Sequence, residues 1–152
     1  MSEVTYDRAE FDAVMPEGEC GGVGLRAGAI ITRGSDVLLL ELPCSGPIRQ
    51  TLKLPGATVF PGESVTGALI RGVGAETGLE VTEVGDFVGG FDYLSPAGKR
   101  VRRLHFAVAV AETEPVVLSE HAKYHWVPLG SRARVTPSIR RILDTYRESL
   151  AR

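Results

Sequence analysis

The chain has 152 residues, 43% of them apolar and 24% charged, with a formal net charge of −2. That length suits one domain with a substantial core. The balanced charge gives no support to a nucleic-acid surface or a polybasic membrane anchor, and no apolar run approaches the length that spans a bilayer. The opening residues, MSEVTYDRAEFD, carry acids and no apolar stretch, so no secretory signal is expected. Cys20 and Cys44 show neither a CxxC pairing nor zinc-ligand spacing. They read as reduced thiols of a cytoplasmic protein.

Residues 1–24 alternate weakly and end in the glycine cluster Gly18 to Gly24. No Lys-Ser/Thr follows, so the cluster is read as a flexible lead-in and the folded unit as residues 25–152. Leu25 to Thr32 and Val37 to Leu42 read as two strands joined by a tight turn at Arg33-Gly34-Ser35-Asp36. The second, VLLLEL, is continuously apolar and belongs at the centre of a sheet. Arg26, at the start of the first strand, is either a solvated strand end or a bidentate phosphate contact. A loop with Gly46-Pro47 at its turn leads to Lys53, which has the same two readings, with solvent expected.

The most informative stretch is LPGATVFPGESVTGALIRGVGAETGL, residues 54–79. Pro55-Gly56 and Pro61-Gly62 mark turns, Ser64 is suited to cap a helix, and Gly78 to stop it. Within that helix Val65, Ala68, Leu69 and Val73 fall on one face. Residues 72, 75 and 76 share a neighbouring face, being related as i, i+3 and i+4. Gly67, Gly72 and Gly74 each cost about 0.5–1 kcal/mol relative to alanine in a helix interior. Either a ligand or a partner's backbone approaches the helix closely at these positions, or the helix has drifted towards weaker formers.

This stretch resembles the signature of the Nudix (MutT-like) hydrolases, G-x5-E-x7-R-E-U-x-E-E-x-G-U, where U is bulky and apolar. Glu63, Arg71, Val73, Glu76, Gly78 and Leu79 fall on the pattern. Ala57 stands for its first glycine, Gly72 for the glutamate after the arginine, and Ala75 for the first of the paired glutamates. In the family those carboxylates hold magnesium or manganese, hard cations that take several oxygen ligands. The metals polarise phosphoryl oxygens and activate water to cleave a nucleoside diphosphate linked to another group. The resemblance implies a Glu63–Arg71 contact that ties loop to helix. It leaves Glu63 and Glu76 as the metal-ligand candidates, in a box that offers magnesium or manganese little to bind. Restoring glutamates at 72 and 75 together is the direct test of whether only the metals are missing.

Further on, Leu79 to Gly89 and Val101 to Ala111 read as a pair of strands around the turn Ser95-Pro96-Ala97-Gly98. Alternation puts Leu104, Phe106, Val108 and Val110 on one face, with Arg103 and His105 on the other. Those two residues line a ligand cleft or point outward from a half-exposed sheet. Lys99, Arg100, Arg102 and Arg103 form a basic cluster suited to an anion or to edge protection. Glu120-His121 and the strand Tyr124 to Leu129 resemble the family's EH and WV segment, where Lys123 replaces a glutamate of many relatives. Glu120 and His121 join Glu63 and Glu76 as candidate catalytic residues, and His125 reads as solvent-facing or a strand cap. Thr136-Pro137 starts a helix whose core face is Ile139, Ile142, Leu143, Tyr146 and Leu150.

The resemblance implies an α/β (α+β) fold, an α/β/α sandwich with a mixed curved sheet, the loop–helix–loop box and a closing helix. It implies a diphosphate or other anionic small molecule as ligand, with Arg26, Lys53, Arg103 and His105 as candidate contacts. Neither a nucleic-acid polymer nor a membrane is expected as partner, and a homodimer is in keeping with such relatives. Three functions stay open: metal-dependent hydrolysis, weak or lost in this box; a silent fold that binds a ligand or a protein; and metal-free chemistry with His105 or His121 as acid or base.

Overall fold

The computed structural model describes residues 4–6, 24–41, 52–119, 123–131 and 134–151, the first of these as backbone only. Cys20, Cys44, Glu120 and His121 lie outside the described residues. The strands are β1 (Val4–Tyr6), β2 (Gly24–Ile30), β3 (Thr32–Arg33), β4 (Asp36–Glu41), β5 (Leu52–Lys53), β6 (Gly56–Thr58), β7 (Val81–Leu94), β8 (Arg100–Val110) and β9 (Lys123–Pro128). The helices are α1 (Val65–Thr77) and α2 (Pro137–Leu150). Neither is long and apolar enough to cross a membrane.

One sheet has the order β1-β7-β8-β2-β6, in which β2 and β8 run parallel and every other pairing is antiparallel. The mixed sheet anticipated from the sequence is therefore present. In the second sheet β9 runs along β4, while β3 and β5 pair with opposite ends of β4. Val37 to Leu40 are accordingly buried, as their unbroken apolar run requires. Strand β1 pairs with β7 through Val4↔Asp92 to Tyr6↔Gly90, inside the stretch read from sequence as a lead-in. Strand β7 also runs past Gly89, because Gly89 and Gly90 keep their pairing with His105 and Leu104.

The two faces of the central strand carry different jobs. Ala27, Ala29 and Ile31 point to one side, where their small or branched side chains pack with Leu38, Leu40, Leu69 and Val73 of the α1 layer. On the other side Ile30 and Phe91 pack with Leu39, Leu54 and the Ile139, Ile142 and Leu143 of α2. Burial of each such aliphatic side chain contributes about 1.5–3 kcal/mol. Leu150 departs from its expected core position and is 59% exposed, since the last turn of α2 overhangs the packed layer.

Both helices end where their capping residues place the ends. The Ser64 side chain accepts from Gly67 N–H, and Gly78 closes α1 in the left-handed region at φ 73°, where its N–H reaches the Gly74 carbonyl. Thr136 caps α2 by accepting from Ile139 N–H, with Pro137 as the first helical residue. The loop after β8 is anchored by Glu114. Its carboxylate accepts from Arg33, Trp126, Tyr124 and Val116 N–H, while Arg33 stacks 4.4 Å from the Trp126 ring centre.

Among the helix glycines, Gly74 has room for a side chain: a methyl added there would meet its nearest neighbour, the Leu79 carbonyl oxygen, in ordinary contact at 3.9 Å. Nothing in the packing requires glycine at that position. Gly74→Ala is expected to raise unfolding stability by about 0.5–1 kcal/mol. Leu69→Ala, which empties the α1 core face, is expected to lower it by about 2–5 kcal/mol. Urea denaturation of both variants beside the parent chain checks the pair.

Candidate active site

The site is built where the loop of β6 meets α1. Arg71 forks onto Glu63, its Nε reaching Oε2 and its Nη2 reaching Oε1, both at 2.9 Å. The same Nη2 donates to the Thr58 carbonyl at 2.7 Å, and Phe60 N–H donates to Glu63 Oε1 at 3.1 Å. The guanidinium also lies 4.6 Å from the Phe60 ring centre. Both carboxylate oxygens of Glu63 are thus occupied in holding the loop against the helix. The Arg71 hydrogen bonds, then the Phe60 N–H, hold the Glu63 carboxyl below its ordinary range.

At the next residue of α1 the helix closes onto β6. A methyl built at Gly72 would lie 2.3 Å from Ala57 Cβ and 2.8 Å from the Gly56 carbonyl oxygen. Close approach of a backbone therefore accounts for Gly72 but not for Gly74, and at Gly72 it is neither the ligand nor the partner backbone expected from sequence. The approaching backbone is the chain's own loop, and Ala57 fills the space a side chain at 72 would take. A glutamate at 72, and with it the restoration at 72 and 75 suggested by the sequence, requires the Ala57 methyl and the Gly56 carbonyl to give way. Ala75 is exposed beside this contact.

Glu76 is the remaining carboxylate of that helix face. Its Oε1 accepts from Gly56 N–H at 2.8 Å, and its Oε2 stands 3.7 Å from Lys53 Nζ. Lys53 therefore turns inward to an acid, where solvent was the sequence expectation. Its side chain is one-quarter exposed. Burial pushes the Lys53 ammonium below its usual pKa, Glu76 opposes this, and Arg103 and Arg26 reinforce it.

The sheet brings the other cations to the same place. Arg26 of β2 sits in register with Thr58 of β6 on one side and Arg103 of β8 on the other. Arg26 donates to Thr58 Oγ1 at 3.1 Å. Arg103 donates to the Leu54 carbonyl at 3.1 Å and through Nε to His105 Nε2 at 3.1 Å, and it hydrogen-bonds Tyr93. His105 is fully buried, stacked 5.5 Å from the Phe91 ring centre, with its ring filling the space over Gly28. Burial first, then the Arg103 charge, pushes its pKa well below the ordinary imidazole value. Since Nε2 accepts from Arg103, the neutral ring carries its proton on Nδ1. Its contact is with Arg103, and it is not an open cleft-lining imidazole.

The basic cluster of the β7–β8 turn divides in two. Arg102 forks onto Asp92 at 2.8 and 2.9 Å and Arg100 approaches the same acid at 3.6 Å, leaving Arg103 as the member that faces the site. Lys123 is exposed at the first position of β9. His125 is half-exposed and 3.4 Å from Glu41, which Arg134 also approaches. Tyr93, Thr58 and the Leu54 carbonyl were not anticipated. The β2–β6 pairing sets Thr58 beside Arg26 and the β7–β8 pairing brings Tyr93 towards Arg103, and neither register has a local sequence signal. Two adjoining cavities of about 440 and 520 Å³ share Asp86, Ala107 and Tyr146 and have no lining residue in common with the cation cluster.

A mixed sheet between two helices, with a loop–helix–loop clamp at the end of α1, defines the class of protein. The chain belongs to the Nudix family, whose domain model matches residues 23–146. The MutT protein from Methanosarcina mazei Go1 superposes with a TM-score of 0.71 at 25% identity, covering 86% of this chain and 96% of that one. The E. coli ORF135 protein gives 0.70 at 24% identity over 88% and 96%. A C. elegans Ap4A hydrolase gives 0.64 at 23% identity over 85% and 98%. No curated protein matches the chain in sequence at a significant level.

The family generally uses divalent metals. Among the described residues the donor set does not fit one: position 72 has no side chain, position 75 has a methyl, and Glu63 and Glu76 are held by Arg71, Gly56 and Lys53. Among the described residues no three His, Cys, Asp or Glu side chains converge as ligands.

Two measurements check this geometry. Gly72→Ala is expected to lose about 1–3 kcal/mol by overpacking, and Ala57→Gly in the same chain to recover part of that loss, as contacting positions couple. The second concerns acid. Because the folded Glu63 carboxyl titrates below its unfolded value, its stabilisation is present above the unfolded pKa and disappears as pH falls through the folded one. Glu63→Gln is therefore expected to be less stable than the parent at neutral pH and indistinguishable from it once pH lies below the carboxylate range. Thermal melts across that range give the comparison.

Proposed function

We propose that the chain binds a diphosphate-containing small molecule at the face formed by Arg26, Lys53 and Arg103, and that metal-dependent hydrolysis there is weak or lost. The observation that carries this reading is Glu76. The one carboxylate left on the helix face where relatives gather theirs is tied to a backbone N–H and to an ammonium. A divalent ion entering there has to displace Lys53 and then finds neither residue 72 nor residue 75 able to complete its shell. What the site does supply is positive charge set in a sheet, the complement of a phosphate anhydride. Ap4A hydrolase, a protein of the same fold, is named for a substrate of this chemical kind. The Glu63–Arg71 fork serves to shape the loop that presents Gly56 and Lys53. His105 acts behind Arg103 as a positioning residue.

Hydrolysis assays on a panel of nucleoside diphosphate derivatives, with magnesium or manganese, test the reading. The expected outcome is a raised melting temperature with one or more of them and no steady turnover. Sustained metal-dependent hydrolysis would overturn it. Adding Ala57→Gly, Gly72→Glu and Ala75→Glu together gives the rebuilt face its best steric chance, and metal-dependent activity appearing only there is the expected contrast.

A further inference from the structure

We infer that the site takes its diphosphate free of metal, with Lys53 standing in the place of the divalent ion and Glu76 acting as the counter-ion that a bound anion relieves. The inference rests on the diphosphate-binding reading above and adds the form of the ligand and the role of each charge. Its basis is the charge balance of one small region. Arg26, Lys53 and Arg103 interact with one another, and Glu76 is the carboxylate that acts on both Lys53 and Arg103. Counted over these described residues, the cluster holds an excess of two positive charges. A diphosphate that links two organic groups carries one negative charge on each phosphate at neutral pH, and so matches that excess.

The geometry assigns the parts. Arg26 and Lys53 are the open members, while Arg103 is fixed behind them by Leu54, His105 and Tyr93. Arg103 thus raises the potential of the face without having to move. Held cations at a partly desolvated site attract an anion more strongly than mobile ones in water, because the field is screened less and the side chains are already ordered. Magnesium bound to the same diphosphate cancels the charge that these residues recognise. It would also bring further positive charge to an already positive face. In a metal-assisted site the sign is the reverse, since there the ion bridges protein carboxylates and phosphate.

Glu76 separates the two cases. Glu76→Gln retains an oxygen for the Gly56 N–H and removes only the negative charge that competes for Lys53. Isothermal titration of the full chain with inorganic diphosphate and with ADP-ribose, once with chelator and once with excess magnesium, is the experiment. The expected result is tighter binding in chelator, a further several-fold gain in Glu76→Gln, and about a tenfold loss in Lys53→Met and in Arg26→Gln. Arg26→Gln guards against a folding defect in Lys53→Met, since Arg26 lies on another strand and donates to the exposed Thr58. Binding that requires magnesium, or that weakens in Glu76→Gln, would overturn the metal-free assignment while leaving diphosphate binding in place. Absence of binding under both conditions would overturn the diphosphate reading itself.

Discussion

Helix α1 is clamped to the loop before it by three side chains that bond the backbone of that loop. Glu63 accepts from Phe60 N–H, Arg71 donates to the Thr58 carbonyl, and Glu76 accepts from Gly56 N–H. These bonds set the distance between helix and β6, and that distance determines much else. It leaves no room for a side chain at Gly72, brings the Ala57 methyl into contact with the helix, and aims Lys53 at Glu76. Strand β6 also pairs with β2, so the clamp fixes Thr58 beside Arg26 and completes the row that ends in Arg103.

The charges of the site follow from this frame together with the alternation of the central strands. One face of β2 and β8 is apolar and packs under α1, while the other carries Arg26, Arg103 and His105. Burying a guanidinium is costly unless its donors are satisfied. Arg103 meets that condition through a carbonyl, an imidazole and a tyrosine. His105 can serve as an acceptor only when neutral, and both its burial and the adjacent cation hold it so. The imidazole thus belongs to the support of the arginine, which explains why a titratable ring is sealed beneath Phe91 and Gly28.

Much of this was legible from local signals. Ser64, Gly78, Thr136 and Pro137 mark helix ends through requirements that act over three or four residues, and the structure places both helices accordingly. Alternation in Val101 to Val110 separated the two faces of β8 correctly. What the sequence could not supply was anything that depends on register between distant strands. The inward turn of Lys53 needs the Glu76 position, the division of the basic cluster needs Asp92 opposite Arg102, and the β1 pairing needs the far end of β7. Glycines were the most ambiguous. Gly72 and Gly74 look alike in sequence, yet one leaves no room for a side chain and the other does.

The contact between positions 57 and 72 works as a ratchet. A methyl at 57 demands hydrogen at 72, and a side chain at 72 demands hydrogen at 57. A chain that holds the first arrangement reaches the second only through an intermediate that is overcrowded at the clamp or, with glycine at both positions, loosened there. Single-residue exchange in this loop therefore tends to stay on the side where it already lies, irrespective of what the neighbouring charges do. At position 72 a long acidic side chain is kept out by volume, before electrostatics has any say.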